Sequence, residues 1–509
     1  EERGIEATIG GKMDTDTLYK TIPDYDGIVV RSGTKVTPEL LKHAKKLKVV
    51  GRAGVGVDNI DIEACTTSGI LVMNTPDGNT ISTAEHTCGL ILALARNIPI
   101  AVQTVKSGGW DRKKYMGTEV HDKVLGIIGL GKIGAQVAER MNSFGMEIQA
   151  FDPFATHEKA EELGVTLVEL DTLLGTSDVI TVHTPLTDKT RGIISEENKH
   201  KLKKGVRLIN CARGGIYDES SLPTLIDEGI VSGVALDVYS EEPPGESLKK
   251  LVEHPNIVTT PHLGASTEEA QEKVAQQIAH QMADALEKKS YKGSLNGKTI
   301  ALSTNKDVQP FLKLAERLGT MIAQIAPQHN NEFSFQYSGR CAQYADVMTD
   351  SILKGLLSHH IDEAINLINA RHFADERGFH ISETTTRSTE TFNDLIKIEL
   401  GEGAEYRVIS ATLFGDEDYR VVNIDGFSIE LRLEGDILMY KNIDKPGMLA
   451  GVSTCLADHQ VNIASLSLGR TKKGKQAITA VGVDKSLTDE DMEKIESIDG
   501  VNSLRYISF

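Results

Sequence analysis

The chain has 509 residues, 40% hydrophobic and 25% charged, with a net charge of −18. That length suggests about three domains of roughly 150 residues, and the acidic balance argues against nonspecific binding to nucleic acid or to an anionic membrane. Five cysteines, Cys65, Cys88, Cys211, Cys341 and Cys455, lie far apart without disulfide-type or metal-type spacing, which points to a reducing compartment and to no metal.

No signal-peptide pattern opens the chain, which starts at Glu1 without a methionine, as an incomplete or processed chain would. Its longest apolar runs, such as Cys88 to Ala95, are too short to span a bilayer. Short strand-like runs then alternate with helices: Gly27 to Val30, Lys48 to Val50 and Leu71 to Met73. An apolar helix is expected from Ser82 to Arg96, with Ser82 or Thr83 as its N-cap.

The most informative stretch is Val124 to Asp152. An apolar run leads into Gly129-Leu130-Gly131-Lys132-Ile133-Gly134, a helical pattern places Ile133, Val137, Met141 and Phe144 on one buried face, and a second apolar run ends at Asp152. Strand, glycine-rich turn, helix, strand and acid together form the dinucleotide-binding fingerprint. Gly129 permits the turn, Gly131 lets backbone approach a pyrophosphate, and Gly134 lets helix and strand pack closely. The helix N-terminus offers unpaired N–H groups to the phosphates. Asp152 follows the last glycine by 18 positions, near the spacing of an acid that bonds a ribose diol.

Further strands are expected at Val179 to His183, Arg207 to Asn210, Val234 to Asp237 and Ile257 to Thr260. Near-continuous apolar strands separated by helices imply a parallel sheet covered on both faces. Asp152, His183, the run Cys211 to Gly215 and Asp237 all fall at C-terminal strand ends, the edge where such sheets bind ligands. A long helix, about Ser266 to Lys289, leads to a linker at 290–294. Residues 295–432 carry no chemical motif. Helices are expected there at Phe311 to Ile325, Thr349 to Leu357 and Ile361 to Phe373, and strands at Phe333 to Tyr337, Ile396 to Leu400 and Tyr406 to Phe414. From 436 the order β-α-β-β-α-β is ferredoxin-like, with Thr488 and Asp491 approximating a capping box.

Arg31-Ser32, the run Gly51 to Asp58, Asn210 to Gly215, Glu241 to Pro244 and Pro261 to Ala265, taken with the cofactor turn, resemble the D-isomer-specific 2-hydroxyacid dehydrogenases. The last 74 residues, 436–509, resemble an ACT domain. The combination is similar to the long branch of that family. The resemblance implies a doubly wound α/β NAD-binding domain (77–262) inserted in a smaller flavodoxin-like substrate domain (1–76 and 263–292). An α+β intervening domain (295–432) and a ferredoxin-like ACT domain (436–509) follow. Against the family pattern the substrate domain lacks its first strand and helix. The implied reaction is oxidation of 3-phospho-D-glycerate with NAD, opening serine synthesis. The alternatives are a glyoxylate or hydroxypyruvate reductase of the same family and an NAD-responsive corepressor-like scaffold.

Residue by residue, the resemblance makes His262 the acid/base and Glu242 its partner. A secondary alcohol losing hydride needs a group that takes its hydroxyl proton, and imidazole suits that task near neutral pH. Arg213 would hold the substrate carboxylate in a bidentate fork. Arg31, Ser32, Arg52 and Asn79 would contact substrate. Arg112 would reach a neighbouring subunit's site, or be part of a solvated basic loop. Lys132, Ile133, His183, Thr184, Pro185, Cys211, Ala212, Asp237, Gly264 and Ala265 would line the NAD site beside Gly129, Gly131, Gly134 and Asp152. Asn442, Asp444 and Asn462 would bind L-serine across a dimer interface, unless the tail serves assembly alone. The expected partners are substrate, serine and a second or further copy of the chain in a homodimer or homotetramer, with cytoplasmic location the expectation and an organelle also compatible.

Overall fold

The computed structural model describes residues 3–11, 13–297, 299–326, 330–361, 363–387, 391–401 and 406–509. It divides into two compact units. One comprises 53–56 and 75–277, the other 1–52, 57–74 and 278–509.

The first unit is built on a seven-stranded parallel sheet. We number its strands after the three of the second unit's amino-terminal sheet, β1 (Gly27–Val30), β2 (Val49–Arg52) and β3 (Leu71–Asn74). They are β4 (Val124–Ile128), β5 (Glu147–Phe151), β6 (Thr166–Leu167), β7 (Val179–Val182), β8 (Val206–Asn210), β9 (Val231–Leu236) and β10 (Ile257–Thr259). Their spatial order is β10-β9-β8-β7-β4-β5-β6. The chain runs outward from β4 through β6, then returns to β7 and winds the other way. The crevice at that reversal lies between the ends of β4 and β7, where doubly wound sheets take their ligands. Leu125, Ile127, Ile180, Val182, Leu208 and Ile209 are wholly buried because helices cover both faces.

The helix Lys132–Ser143 buries Val137, Ala138 and Met141. Phe144 does not join that face. It caps the helix C-terminus and is 48% exposed, because the helix ends one residue too soon for the i, i+3 spacing to hold it inward. The apolar helix is Thr80–Ala95, with Asn79 at its N-cap. Ser82 and Thr83 are therefore not caps. Both are buried in the first turns, and Thr83 Oγ1 donates to Gly264 O at 3.1 Å.

The second unit begins with the parallel sheet β1-β2-β3. A Cβ on Gly51 would meet Ile278 and Met282 side chains at 2.7–2.9 Å, so glycine there allows the helix Glu268–Leu286 to lie close. Next come β11 (Glu332–Gly339), β12 (His380–Thr386), β13 (Asp394–Leu400), β14 (Arg407–Phe414), β15 (Asp418–Ile424) and β16 (Phe427–Arg432), in the order β12-β11-β13-β14-β15-β16. Helices Gln309–Ile325 and Ala345–Leu357 bury Leu318, Met321, Ile352 and Leu353 against it. The single helix expected from Ile361 to Phe373 is absent among the described residues, and only Ala370–Glu376 is helical. Asn366 Oδ1 accepts from Ile368 N, and Asn369 Oδ1 accepts from Asn366 N. Such local side-chain bonds compete with helical ones.

The tail folds as β17 (Asp436–Ile443), helix Met448–Asp458, β18 (Ile463–Arg470), β19 (Gln476–Val483), helix Asp489–Glu496 and β20 (Val501–Ser508), with sheet order β18-β19-β17-β20. The capping box at Thr488 and Asp491 is complete. One sheet face packs Leu438, Tyr440 and Val481 against the two helices. The other face, with Ile437, Met439, Ile478 and Ile507, joins the core under β11–β16.

Candidate functional site

The turns at the C-terminal edge of the seven-stranded sheet gather the candidate site residues. The first follows β4. Gly129 has φ +96°, open to glycine, and a Cβ there would press on His183 O at 2.9 Å. A Cβ on Gly134 would collide with Gly129 O, so the helix and the turn touch directly. A Cβ on Gly131 would meet nothing within 4 Å. The open space lies where N–H groups of the helix start point, as a pyrophosphate requires. Lys132 forms an ion pair with Asp77. Ile133 is half-buried behind it.

Asp152 follows β5 and binds the first turn: Oδ2 accepts from Leu130 N at 2.8 Å and Oδ1 from Phe154 N at 2.8 Å. His183, Thr184 and Pro185 follow β7. Burial pushes the His183 pKa down to about 4, so its imidazole is neutral at pH 7, 3.1 Å from Thr181 Oγ1 through Nε2. Thr184 Oγ1 and Asn79 Oδ1 are buried with no hydrogen-bond partner. An orphaned buried polar atom costs about 1–3 kcal/mol, and a polar ligand would relieve it. The open cradle at Gly131 and these orphans fit a dinucleotide.

The second turn follows β8. Asn210, buried, accepts from Ala212 N at 2.9 Å and donates Nδ2 to Arg213 O at 2.7 Å, shaping the turn that presents Arg213. Arg213 Nη1 donates to Ala212 O. Cys211 beneath is pushed up to about 12 by burial, which keeps it a thiol and not a nucleophile.

The third turn, after β9, carries Glu242, and the loop after β10 carries His262. His262 Nδ1 lies 2.7 Å from Glu242 Oε2, and Glu242 Oε1 accepts from Tyr239 N at 3.1 Å. The contact at Nδ1 leaves Nε2 as the ring nitrogen that Glu242 does not engage. His262 itself has φ +56°, a strained conformation for a non-glycine residue. Asp237, wholly buried at the end of β9, holds that loop. It accepts from Thr260 Oγ1 at 2.6 Å, Leu263 N at 2.7 Å and Gly264 N at 2.8 Å, with His86 Nε2 at 3.2 Å. Burial opposes its charge, but the bonds from His86, Thr260, Leu263 and Gly264 hold its pKa below the ordinary value. Ala265 follows and its carbonyl accepts from Gln271 Nε2 at 2.8 Å.

Arg31 and Ser32 follow β1, and Val30 pairs with Arg52 across β1 and β2, so the three residues share one edge of the three-stranded sheet. Arg112 lies in an exposed turn made by Asp111, whose Oδ1 accepts from Lys113 N and Lys114 N. In the tail, Asn442 is buried with Nδ2 donating to Ile443 O, and Asp444 Oδ2 accepts from Gly474 N at 2.8 Å. Asn462 Nδ2 donates to Asp484 Oδ2 at 2.6 Å. Ile443 pairs with Gln476 and Ile463 with Val483. The two groups thus stand at opposite ends of β19, roughly 23 Å apart at about 3.3 Å per residue. One chain does not bring them together. Among the described residues no three His, Cys, Asp or Glu are grouped to hold a metal, and no single helix is long and apolar enough to cross a membrane.

A dinucleotide cradle beside an imidazole–carboxylate pair defines a nicotinamide-dependent dehydrogenase. The chain matches the model of the D-isomer specific 2-hydroxyacid dehydrogenase NAD binding domain over 88–264, of the D-3-phosphoglycerate dehydrogenase intervening domain over 307–425, and of the ACT domain over 436–500. D-3-phosphoglycerate dehydrogenases of Bacillus subtilis, Archaeoglobus fulgidus and Homo sapiens are 39%, 40% and 37% identical. They match 95%, 99% and 93% of this chain and 92%, 96% and 90% of their own lengths. D-lactate dehydrogenase from Escherichia coli superposes with a TM-score of 0.51 at 27% identity, over 55% of this chain and 89% of its own. A protein from Thermus thermophilus does so at 0.52 and 31%, over 58% and 94%. The chain belongs to the D-3-phosphoglycerate dehydrogenase family, and its cofactor is NAD.

Two glycines separate fold from ligand. Gly134→Ala should destabilise the unit by about 1–3 kcal/mol through overpacking, read as a lowered Tm. Gly131→Ala should leave Tm unchanged and raise KM for NAD about tenfold or more, a loss of roughly 1.4 kcal/mol. His183 gives a pH test. Its folded pKa lies below the unfolded 6.5, so its contribution to stability is present above about pH 6.5 and lost as pH falls towards 4. Urea unfolding midpoints should fall across that window, and His183→Gln should make the fall shallower.

Proposed function

We propose that this chain oxidises 3-phospho-D-glycerate to 3-phosphohydroxypyruvate, the step that opens serine synthesis. The observation that carries the reading is the His262–Glu242 pair at 2.7 Å, at the sheet edge that also holds the dinucleotide cradle, in a chain matched nearly end to end by the phosphoglycerate dehydrogenases. His262 takes the C2 hydroxyl proton through Nε2. Glu242, facing Nδ1, fixes the tautomer and orientation of the ring. Arg213 binds the carboxylate, Arg31, Ser32, Arg52 and Asn79 of the same chain meet the rest of the anion, and a second copy contributes its Arg112. NAD, when bound, would supply the hydride acceptor, and the Gly129–Gly134 turn, Asp152, Thr184 and Asp237 would hold the dinucleotide, with the Asp152 carboxylate disfavouring a 2′-phosphate. His262→Ala should lower kcat by about 10²–10⁴-fold with KM for NAD little changed. NAD reduction with 3-phospho-D-glycerate measures both, and near-normal turnover would remove His262 from the reaction.

We further propose a homodimer or homotetramer regulated by L-serine. The helix Ile98–Lys106 and the turn after it expose Ile98, Val102, Val105, Trp110 at 80% and Met116 at 78%, an apolar stripe beside Arg112 that suits a second copy. The five free cysteines fit a cytoplasmic setting. The separation of Asn462 from Asn442 and Asp444 supports serine sites that each draw on two chains. Coupling of this type is worth about 5–150-fold in affinity. Calorimetry on the full chain should detect serine binding, lost in Asp444→Ala and in Asn462→Ala. Mixing those two variants in equal amounts should recover about a quarter of the sites, since about half of the dimers that form are mixed and one of the two sites of each mixed dimer is intact. Absence of binding at millimolar serine would make the tail an assembly module.

A further inference from the structure

Glu219 lies between the Arg213 turn and the helix Leu222–Asp227, in the run Tyr217-Asp218-Glu219-Ser220-Ser221. Its neighbours suggest a solvated turn, yet it is only 6% exposed. Among the described residues no cation pairs with it. A buried carboxylate without a counter-ion is costly unless its lone pairs are taken. Here they are taken by two separate segments. Oε1 accepts from Gly215 N at 3.0 Å and from Ser240 N at 2.8 Å, and Oε2 accepts from Ser240 Oγ at 2.6 Å and Ser240 N at 3.1 Å.

Gly215 stands two residues after Arg213, and Ser240 two residues before Glu242. The two turns also touch. A Cβ on Gly214 would collide with the Tyr239 carbonyl and with Ser240 N. Tyr239 N in turn donates to Glu242 Oε1, whose other oxygen faces His262 Nδ1. A continuous set of bonds therefore runs from the Arg213 turn through Glu219 and Ser240 to the catalytic pair.

We infer that Glu219 is a positioning residue that sets the spacing of the Arg213 and Glu242 turns, and that its task is reach, with one oxygen bridging both segments. The inference rests on the roles given above to Arg213, Glu242 and His262. Misplacement of catalytic groups by about 1 Å can cost on the order of 10²-fold in rate, so small loosening of either turn is enough.

Three substitutions separate reach from charge and from general stability. Glu219→Gln keeps an oxygen where Oε1 bridges Gly215 and Ser240, so kcat should stay within about threefold of wild type. Glu219→Asp keeps the charge but is one methylene shorter, and should lose about tenfold or more in kcat with KM for NAD within twofold. Glu219→Ala should lose as much. If the alanine variant does not fold, the Gln and Asp variants decide. In a Glu242→Ala background, Glu219→Asp should cost less than threefold, because residues acting through one another are non-additive. Normal turnover in Glu219→Asp, failure of Gln to outperform Asp, or full additivity with Glu242→Ala overturns the inference. Near-normal turnover of Glu242→Ala alone overturns the catalytic reading itself and this inference with it.

Discussion

Asp237 sits wholly buried at the end of β9 with Thr260, Leu263 N, Gly264 N and His86 around its two oxygens, and the position of His262 depends on it. The loop would otherwise have little reason to hold a histidine at positive φ. Strain of that type costs of order 1–3 kcal/mol and persists only where the surroundings over-determine it. Two backbone N–H groups bonded to a charged acceptor, each worth about 1.5–3 kcal/mol, are large enough to hold it.

The same device recurs along the sheet edge. Asp152 takes Leu130 N and Phe154 N, and Glu219 takes Gly215 N and Ser240 N. Each buried or half-buried carboxylate ties one turn to another through main-chain donors. The parallel sheet makes this necessary. Its parallel strands are joined by helical crossovers and not by hairpins, so the turns beyond their ends receive few ladder bonds and must be fixed by side chains. Backbone donors suit the purpose, because they fix distance and direction without placing further cations beside an anionic substrate.

Much of this was legible in the sequence, for identifiable reasons. The turn Gly129 to Gly134 announces itself because three backbone requirements fall at fixed spacing, and β4 and β7 carry near-continuous apolar runs. The central strands were placed to within a few residues for the same reason. Glu219 was not legible. Flanked by Asp218, Ser220 and Ser221, it has the local composition of an exposed turn, and only the approach of β9's loop buries it. His86 escaped notice likewise, since its partner Asp237 is 151 residues away and only folding brings the two together. β12, β15 and β16 were missed because two are short alternating runs in polar surroundings and β12 is a threonine-rich edge. The relation of Asn462 to Asp444 needed the sheet order, which no local pattern carries.

The tail has a recognisable fold of its own, but its sheet has two apolar faces. One is closed by its own helices. The other, through Ile437, Met439, Ile478 and Ile507, is closed by the core beneath β11–β16. Recombination that moved these 74 residues to another protein would therefore transplant an unsealed surface, and loss of the tail would unseal the domain before it. Shuffling between short and long forms of such an enzyme is possible only when both surfaces are rewritten together, so the two segments are expected to travel through evolution as one heritable block.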